Sequence, residues 1–341
     1  MKTPQISIVI PCYNRPEPLK YTLRSVERAA DGVAGGVEIV MVDDGSEPPI
    51  TEQLAGFECR VPTVHVRQTN QGLITAKQAG LGKAAGAYVL FLDSDDLIDP
   101  SKLGLQVAAM EHSSADVSYA DMAIATLGPN YTVAQFSPGT VLPEAADPAE
   151  FYVKVQPAPH NPIYRTAYLK RALATPILPI ARAMDSSGEI WMYLNLCTTP
   201  ARIVKVNAFL TAPGPHDHAR LSNHWEKLGA ASLLMMETFM RQCPPTEASA
   251  FARQCVGEMA FHTWRGLPKG FNRDFESRIL NVWKDAPKGP LARLGAPGFA
   301  RLSRFVGPQL AAAAIKRIRA KPYDSVRTLD AAGYAKLFGG K

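Results

Sequence analysis

Three aspartates within four residues are the side chains of this 341-residue chain that are best suited to chemistry. Asp93, Asp95 and Asp96 directly follow the apolar run 87–92. Carboxylates this close repel one another unless a cation compensates them. Hard oxygen ligands on a short turn suit Mg²⁺ or Mn²⁺, and an ion held by one or two carboxylates uses its remaining positions for substrate phosphates and water. The segment predicts a metal site for a diphosphate group; the alternative is a turn or capping cluster before a helix near Pro100.

A second acidic pair, Asp43 and Asp44, also leaves an apolar run, at 37–42, and Gly45-Ser46 after it suits a tight turn. Taken alone this pair is a weak signal, because an Asx turn explains it equally well. In open α/β sheets, however, ligands bind at the carboxyl ends of the strands. Both acidic groups are therefore predicted to lie where a ligand binds.

The elements that position these groups follow from the hydrophobic pattern. Short β-rich runs alternate with helical patterns over the first hundred residues, which is typical of a sheet built from βαβ units. The predicted strands are 6–10, 37–42, 61–66 and 87–92, and the predicted helices between them are 18–28 and 73–83. The strand at 87–92 is apolar almost throughout, so we expect it to be central and buried on both faces.

The second half of the chain gives a weaker pattern. Residues 128–162 are rich in Pro, Gly and Ala and predict loops with at most one short helix. Beyond them the periodicity predicts helices at 164–174 and 187–196, a strand at 201–209, and further helices at 225–240, 246–264 and 272–282.

Four segments, in this order along residues 6–100, resemble glycosyltransferase family 2. The residues that carry the resemblance are Ser7-Ile8-Val9-Ile10-Pro11-Cys12-Tyr13-Asn14, Val42-Asp43-Asp44-Gly45-Ser46, Asn70-Gln71-Gly72 with Ala76-Lys77-Gln78-Ala79-Gly80, and Gly86-Ala87-Tyr88 with Leu92-Asp93-Ser94-Asp95-Asp96. The resemblance implies an α/β protein of the GT-A type, with a Rossmann-like, mostly parallel sheet flanked by helices and a helical C-terminal extension. The implied parts are a donor-binding half at 1–125, an acceptor-binding half at 126–223 and a basic helical region at 224–341.

The activity that the resemblance implies is metal-dependent transfer of a sugar, with inversion, from a nucleotide diphosphate donor to a hydroxyl. The expected donor is a UDP-sugar, the expected ion is Mn²⁺ or Mg²⁺, and the expected acceptor is a glycan or a lipid-linked glycan. Three rivals remain open. One is a nucleotide-binding module that has lost turnover. The second is a nucleotidyltransferase, although the segment 11–16 lacks the Gly-rich basic loop of that class. The third is a nucleic-acid-binding protein, which the basic C-terminal region suggests.

The resemblance also assigns roles in donor binding. Tyr13 stacks on the nucleobase, Asp44 hydrogen-bonds the base edge, Asp93 holds the ribose side and Asp95 binds the metal ion. The other nucleotide-site residues that it implies are Pro11, Lys77 and Ser94. The alternatives from the residues alone are a core aromatic for Tyr13 and a turn residue for Asp44.

Two positions depart from the family pattern. Cys12 replaces the usual Thr or Ser, and Lys77 replaces the usual Arg. Because Lys cannot repeat the planar bidentate contact of Arg, the grip on base or phosphate is expected to differ. A solvated position on the helix surface is the alternative for Lys77.

The general base is less well defined. Aligning the family's acceptor helix on Trp191 puts the usual base position at Ser187. An inverting transfer needs a carboxylate beside the acceptor hydroxyl to take its proton. Asp185 is the first candidate and Glu189 the second; the third possibility is that the loop only caps a helix through a serine.

Two histidines complete the candidate site. His218 matches the position after the acceptor strand where family members often place a histidine that completes the metal shell, and a surface histidine is the alternative. His160, with Asn161 after it, is a candidate for the acceptor pocket, with a rigid loop as the favoured alternative.

Charge and cysteine usage set further limits. Residues 1–225 hold 18 Lys and Arg against 22 Asp and Glu, a net −4, whereas residues 226–341 hold 19 against 9, a net +10. The basic amphipathic segment 299–319, broken near Gly307-Pro308, predicts contact with an anionic membrane, or else packing on the catalytic domain. No nucleic-acid-binding module accompanies the charge, so no nucleic-acid partner is expected. Five scattered cysteines without C-x-x-C pairs favour a reducing cytoplasm, with the inner membrane face as a place of peripheral contact.

Overall fold

The computed structural model describes residues 3–215 and 224–339. The chain divides into two compact units: Met1–Pro176 with Thr199–His218, and Ile177–Thr198 with Ala219–Lys341. These units group residues by proximity, whereas the three parts expected from the sequence are functional segments and stay a prediction. Among the described residues, no helix is both long enough and apolar enough to cross a bilayer.

The first unit is built on one mixed sheet. Its strands are β1 (Ile6–Cys12), β2 (Val37–Asp43), β3 (Thr63–Arg67), β4 (Tyr88–Phe91), β5 (Asp96–Ile98), β6 (Val117–Leu127), β7 (Val133–Thr140), β8 (Ile163–Arg165) and β9 (Ile203–Pro213). The order is β3-β2-β1-β4-β8-β6-β9-β5, with β7 on β6. The pairs β3–β2, β2–β1 and β1–β4 are parallel, while β4–β8 and β8–β6 are antiparallel. The predicted Rossmann-like α/β architecture is confirmed, but the sheet is mixed rather than mostly parallel, because β5, β7 and β8 form antiparallel pairs.

Helices flank the sheet of the first unit. They are α1 (Pro16–Ala30), α2 (Ile50–Gln53), α3 (Leu73–Lys83), α4 (Lys102–Ser113) and α5 (Thr166–Ala172). The predicted inner face of α1 is confirmed, because Leu19, Leu23 and Val26 are buried in one core cluster with Ile8 of β1. Strand β4 is central and fully buried, as expected for its continuous apolar run.

Two predictions for the segment 128–174 are wrong in part. Residues 133–140 form β7 rather than a loop, and the helix expected from 164 is preceded by β8 and begins only at Thr166. The pattern of β7 hides it, since most of its residues are at least partly exposed and the strand contains Pro138 and Gly139. An edge strand of this kind carries no apolar alternation. A π-helical turn at Glu150–Val155 is the short helix in this segment.

The second unit is helical. Its helices are α6 (Gly188–Leu196), α7 (Trp225–Gln242), α8 (Glu247–Gly266), α9 (Arg273–Asp285), α10 (Pro297–Val306), α11 (Pro308–Arg319) and α12 (Ala331–Phe338). Buried Glu226 on α7 accepts hydrogen bonds from the backbone N–H and hydroxyl of Thr328 and from the Tyr323 hydroxyl, so it ties the chain before α12 to the bundle. The predicted break between α10 and α11 is confirmed at Gly307, whose φ is +81°.

Candidate functional site

The carboxyl ends of the parallel strands bring the first predicted residues to one edge of the sheet. Strand β1 pairs with both β2 and β4. Tyr13, Asp44 and Asp93, which follow these three strands, therefore leave the sheet at the same edge. Pro11 is buried inside β1, where it pairs with Val42.

Residues 93–96, the acidic turn, connect β4 to β5. The Asp96 backbone N–H donates to the Asp93 carbonyl oxygen at 3.1 Å, which closes the turn and leaves Asp95 near its tip. Ser94 is buried within the turn. The Thr22 hydroxyl of α1 donates to the Asp96 carbonyl oxygen at 2.9 Å. The turn is therefore anchored at its Asp96 end, and Asp95 has a defined direction.

Asp93 is compensated by Lys77 of α3, whose Nζ lies 2.9 Å from Asp93 Oδ1. Burial alone would raise the pKa of Asp93, but the Lys77 ammonium outweighs it, with support from His160 and Arg15, and the net pKa lies below its usual value. Asp93 is therefore a carboxylate at neutral pH. Lys77 is 5% exposed, so the solvated alternative for this residue is wrong.

Asp95 and Asp96 also have basic partners from the chain. Arg15 Nη1 lies 2.9 Å from Asp95 Oδ2, and the ring of His160 contacts the Asp96 carboxylate. His160 is 3% exposed. The chain's own cations thus supply part of the compensation that three neighbouring aspartates require.

The loop that carries His160 is held by hydrogen bonds to β6 and α4, which support the rigid-loop interpretation. The side-chain amide of Asn161 donates to the Ala120 carbonyl oxygen and accepts from the Ala120 N–H, at 2.8 and 2.9 Å. Buried Lys102 donates to the Asn161 carbonyl oxygen at 2.6 Å. These contacts fix the place of His160 beside the acidic turn.

Asp44 is 6% exposed and organises the loop before α3. Its Oδ1 accepts from Gln68 Nε2 at 2.7 Å and from the Gln71 N–H at 2.8 Å, and its Oδ2 accepts from the Gly72 N–H at 2.9 Å. A carboxylate has about four acceptor positions, so capacity for one further donor remains. Its contact with a base edge stays a prediction.

The turn predicted at Gly45-Ser46 is present. The Ser46 N–H donates to Asp43 Oδ1 at 2.8 Å, so the Asx-turn alternative holds for Asp43. Gly45 has φ +84°, and a Cβ there would come within 2.7 Å of the Asn70 backbone nitrogen. Any larger residue at position 45 would therefore push away the loop that Asp44 organises.

Tyr13 and Cys12 have opposite environments at the end of β1. The Tyr13 side chain is 48% exposed, so the core-aromatic alternative is wrong and the ring is free to meet a ligand. Cys12 is buried, and its thiol donates to the Val42 carbonyl oxygen at 3.4 Å. Burial, and then the negative charges of Asp43 and Asp44, raise the pKa of Cys12, so it is a neutral thiol with a structural role.

Removing the Tyr13 ring is expected to weaken nucleotide binding. Stacking of a base on an aromatic side chain is worth about 1–3 kcal/mol, so Tyr13→Ala should raise the Kd for UDP about tenfold, as measured by calorimetry. Tyr13→Phe keeps the ring and should bind as the wild type does. Equal affinity for UDP in Tyr13→Ala would contradict the stacking role.

The described residues can supply only a metal site with few protein ligands. No three His, Cys, Asp or Glu side chains converge on a common ion within residues 3–215 and 224–339. Asp95 is half of an ion pair, but it is a hard oxygen donor on a loop. One carboxylate completed by phosphate oxygens and water is a usual way to hold Mg²⁺. His218 lies outside the described residues and stays a predicted ligand.

The candidate bases belong to the second unit. Asp185 lies in the 3-10 helical turn Arg182–Ser187, and its Oδ2 is 3.5 Å from Arg182 Nη1. Glu189 lies in the first turn of α6. Ser187 is in the N-cap position of α6, but its hydroxyl donates to the Leu228 carbonyl oxygen and makes no capping bond. The serine-cap alternative is therefore wrong for Ser187, and the choice between the two acids stays open.

Comparison with known proteins assigns the domain. Residues 7–170 match the family described as Glycosyl transferase family 2. This segment is a family 2 glycosyltransferase domain. The match spans β1 to α5 and includes Tyr13, Asp44, Lys77 and the acidic turn.

Relatives also support the family. The chain is 31% identical to glycosyltransferase GlyG of Streptococcus pneumoniae over 115 residues, which are 33% of this chain and 37% of that protein. It is 31% identical to an uncharacterized glycosyltransferase of Haemophilus influenzae over 132 residues, 38% of this chain and 52% of that one. A Rickettsia bellii relative, also 31% identical, is matched over only 16% of its length and 33% of this chain. The chain thus spans about half or less of these relatives.

Solved structures extend the likeness to most of the chain. S. aureus TarS 1-349 in complex with UDP-GlcNAc aligns over 92% of both chains with a TM-score of 0.63 and 18% identity. At this identity the likeness shows the fold alone, a GT-A fold with a helical C-terminal region. The family 2 domain therefore has the predicted fold.

Sequence reasoning missed Arg15 and the pairing of His160 with Asp96. Arg15 directly follows the Tyr13-Asn14 motif, and its place at the end of a strand facing three carboxylates was a usable signal. His160 gave no comparable signal, because only the tertiary fold brings it to the acidic turn.

Proposed function

We propose that this chain is a metal-dependent inverting glycosyltransferase that transfers a sugar from a UDP-sugar to a hydroxyl of a glycan or lipid-linked glycan. The observation that carries the proposal is the anchored acidic turn at the carboxyl end of β4, beside the exposed ring of Tyr13, in a family 2 glycosyltransferase domain. An aromatic face and a carboxylate cluster together suit a nucleotide whose diphosphate is bound with a divalent ion.

On the donor side, each residue has a physical role. Tyr13 stacks on the base, and the free acceptor capacity of Asp44 takes a base N–H. Asp93, kept ionised by Lys77, accepts from the ribose hydroxyls. The TarS structures in complex with UDP-GlcNAc and with UDP support uridine as the nucleoside.

Asp95 is the proposed protein ligand of Mn²⁺ or Mg²⁺, with His218 as a second ligand. When bound, the ion neutralises charge on the departing diphosphate. Asp185 is the proposed base that takes the proton from the acceptor hydroxyl, and Glu189 is the second candidate.

The test is a donor screen on the purified chain. Release of free nucleoside diphosphate is followed for a panel of UDP-, GDP- and dTDP-sugars, with Mn²⁺, with Mg²⁺ and with EDTA. Metal-dependent release from a UDP-sugar is the expected result. Nucleotide binding without release from any donor, with candidate acceptors supplied, would favour the binding-module rival, and absence of nucleotide binding would overturn the donor site.

We further propose peripheral contact with an anionic membrane through α10 and α11, in a cytoplasmic protein. Phe305 and Ile318 are 87% and 82% exposed, and Leu310 is 65% exposed. The packing alternative is wrong for these side chains. The exposed cations on the same two helices are Arg301, Arg304, Arg317 and Arg319. Exposed large apolar groups among cations suit a lipid surface with negative headgroups.

Vesicle binding tests this contact. The wild type should co-sediment with phosphatidylglycerol vesicles more than with phosphatidylcholine vesicles, and salt should weaken the binding. The double variant Phe305→Ser with Ile318→Ser should bind the anionic vesicles at least about tenfold more weakly, because it loses two apolar side chains that the lipid surface would bury. Val141→Ser, which removes a 64% exposed apolar side chain from the first unit, is the matched control. Equal binding to both kinds of vesicle would contradict the proposal.

A further inference from the structure

The three basic side chains that contact the acidic turn differ in accessibility. The side chains of Lys77 and His160 are 7% and 4% exposed, whereas that of Arg15 is 31% exposed. The carboxylate of its partner Asp95 is itself 13% exposed. Arg15–Asp95 is therefore the pair that solvent and ligands reach most readily.

A metal ion at Asp95 competes with Arg15. Arg15 Nη1 already lies 2.9 Å from Asp95 Oδ2, and two cations on one carboxylate repel each other. Binding of the ion by itself must therefore weaken or break the ion pair. When the ion binds together with a diphosphate, the phosphate oxygens give the guanidinium a new anionic partner, which offsets the loss of its contact with Asp95. Arginine matches phosphate in planar, bidentate geometry.

The backbone around Arg15 allows its side chain to move without moving the loop. Asn14, at φ +50°, is fixed by hydrogen bonds from its N–H to Ser46 Oγ at 3.0 Å and from the Glu47 N–H to its Oδ1 at 2.9 Å. Pro16 begins α1 directly after Arg15. A guanidinium on a long, flexible stem can therefore exchange partners while its Cα stays in place.

We propose that Arg15 is the internal counter-ion of Asp95 in the nucleotide-free protein and becomes a ligand of the donor diphosphate when metal and nucleotide bind together. This inference rests on the proposed function of the acidic turn. Its consequence is that one residue opposes binding of the bare ion and favours binding of the ion with nucleotide. Metal alone would then bind weakly, and metal and nucleotide would enter cooperatively.

Arg15→Gln tests the exchange through two affinities that should change in opposite directions. The Kd for Mn²⁺ alone, from the electron paramagnetic resonance signal of free Mn²⁺, should fall about three- to tenfold, because a competing cation is gone. The Kd for UDP at saturating Mn²⁺, from calorimetry, should rise about tenfold, because a charged phosphate contact is lost. Arg15→Lys keeps the charge without the bidentate fork, so Mn²⁺ affinity should stay near the wild type while UDP affinity falls in part.

Arg60→Gln, which removes an arginine whose side chain is 70% exposed in the same unit, is the charge-matched control and should alter neither affinity. A fall of both affinities in Arg15→Gln, or no change in either, overturns the exchange while leaving the donor site intact. If the wild type binds neither Mn²⁺ nor UDP, the proposed function fails, and the inference fails with it. Thermal melting of each variant identifies a loss caused by misfolding.

Discussion

Asp95→Asn is expected to lower metal-dependent release of nucleoside diphosphate about a thousandfold. The amide keeps the shape of the side chain but removes the charge that holds the ion, and loss of a metal contact at a departing diphosphate costs several kcal/mol of transition-state stabilisation, about 10³ in rate. The measurement is the initial rate of UDP release at saturating donor and Mn²⁺, with the Kd for Mn²⁺ in the presence of UDP determined in parallel. The initial rate should fall and the Kd for Mn²⁺ should rise in the same variant.

The control for this substitution must separate metal binding from the ion pair with Arg15. Asp31→Asn, on an aspartate whose side chain is 68% exposed in the same unit, should keep full activity. The double variant Asp95→Asn with Arg15→Gln also removes the guanidinium that pairs with Asp95 in the wild type, and it should stay inactive. Recovery of activity in the double variant, or activity in Asp95→Asn near that of the wild type, would show that Asp95 serves only to hold Arg15.

The sequence predicted best the strands that are buried on both faces, because such burial requires apolar side chains along the strand. Strands β1, β2 and β4 lie within a few residues of their predicted limits because they are buried on both faces and are therefore apolar at most positions. Strand β7 has no such apolar pattern, since its side chains are largely exposed and its partner is a single neighbouring strand. Strand β8 has three residues, which is too short for any period to show.

The candidate site divides along the same physical line. Tyr13, Asp44 and the acidic turn follow predicted strands, so their meeting at one edge of the sheet was predictable from strand order alone. The pairing of Asp96 with His160 was not, because His160 lies far away in the sequence and only the tertiary fold brings it to the acidic turn. Which face of α10 and α11 is left uncovered is likewise a property of packing, although their boundary at Gly307 was visible in the sequence.

Substitution of the proposed general base is also expected to have a large effect on the turnover rate. Asp185→Asn is expected to reduce the turnover rate about 10²- to 10⁴-fold with little change in the Kd for UDP, because removal of a general base affects proton transfer and leaves the donor site intact. Glu189→Gln should alter the rate by much less. Turnover is measured as UDP release with and without candidate acceptors, since water attacking the donor also has to lose a proton.

Asp185 and Glu189 can be separated because their local structures differ. Asp185 lies in a 3-10 turn with its carboxylate near Arg182, whereas Glu189 lies in the first turn of α6, where an acidic residue also stabilises the helix N-terminus. Glu189→Gln is thus expected to lower the melting temperature slightly and to keep activity. Asp185→Asn is expected to lose activity and to keep the melting temperature. If Glu189→Gln is the inactive variant, then Glu189 is the base. If both variants turn over at the wild-type rate, neither acid takes the proton, and the base assignment in this proposal is wrong.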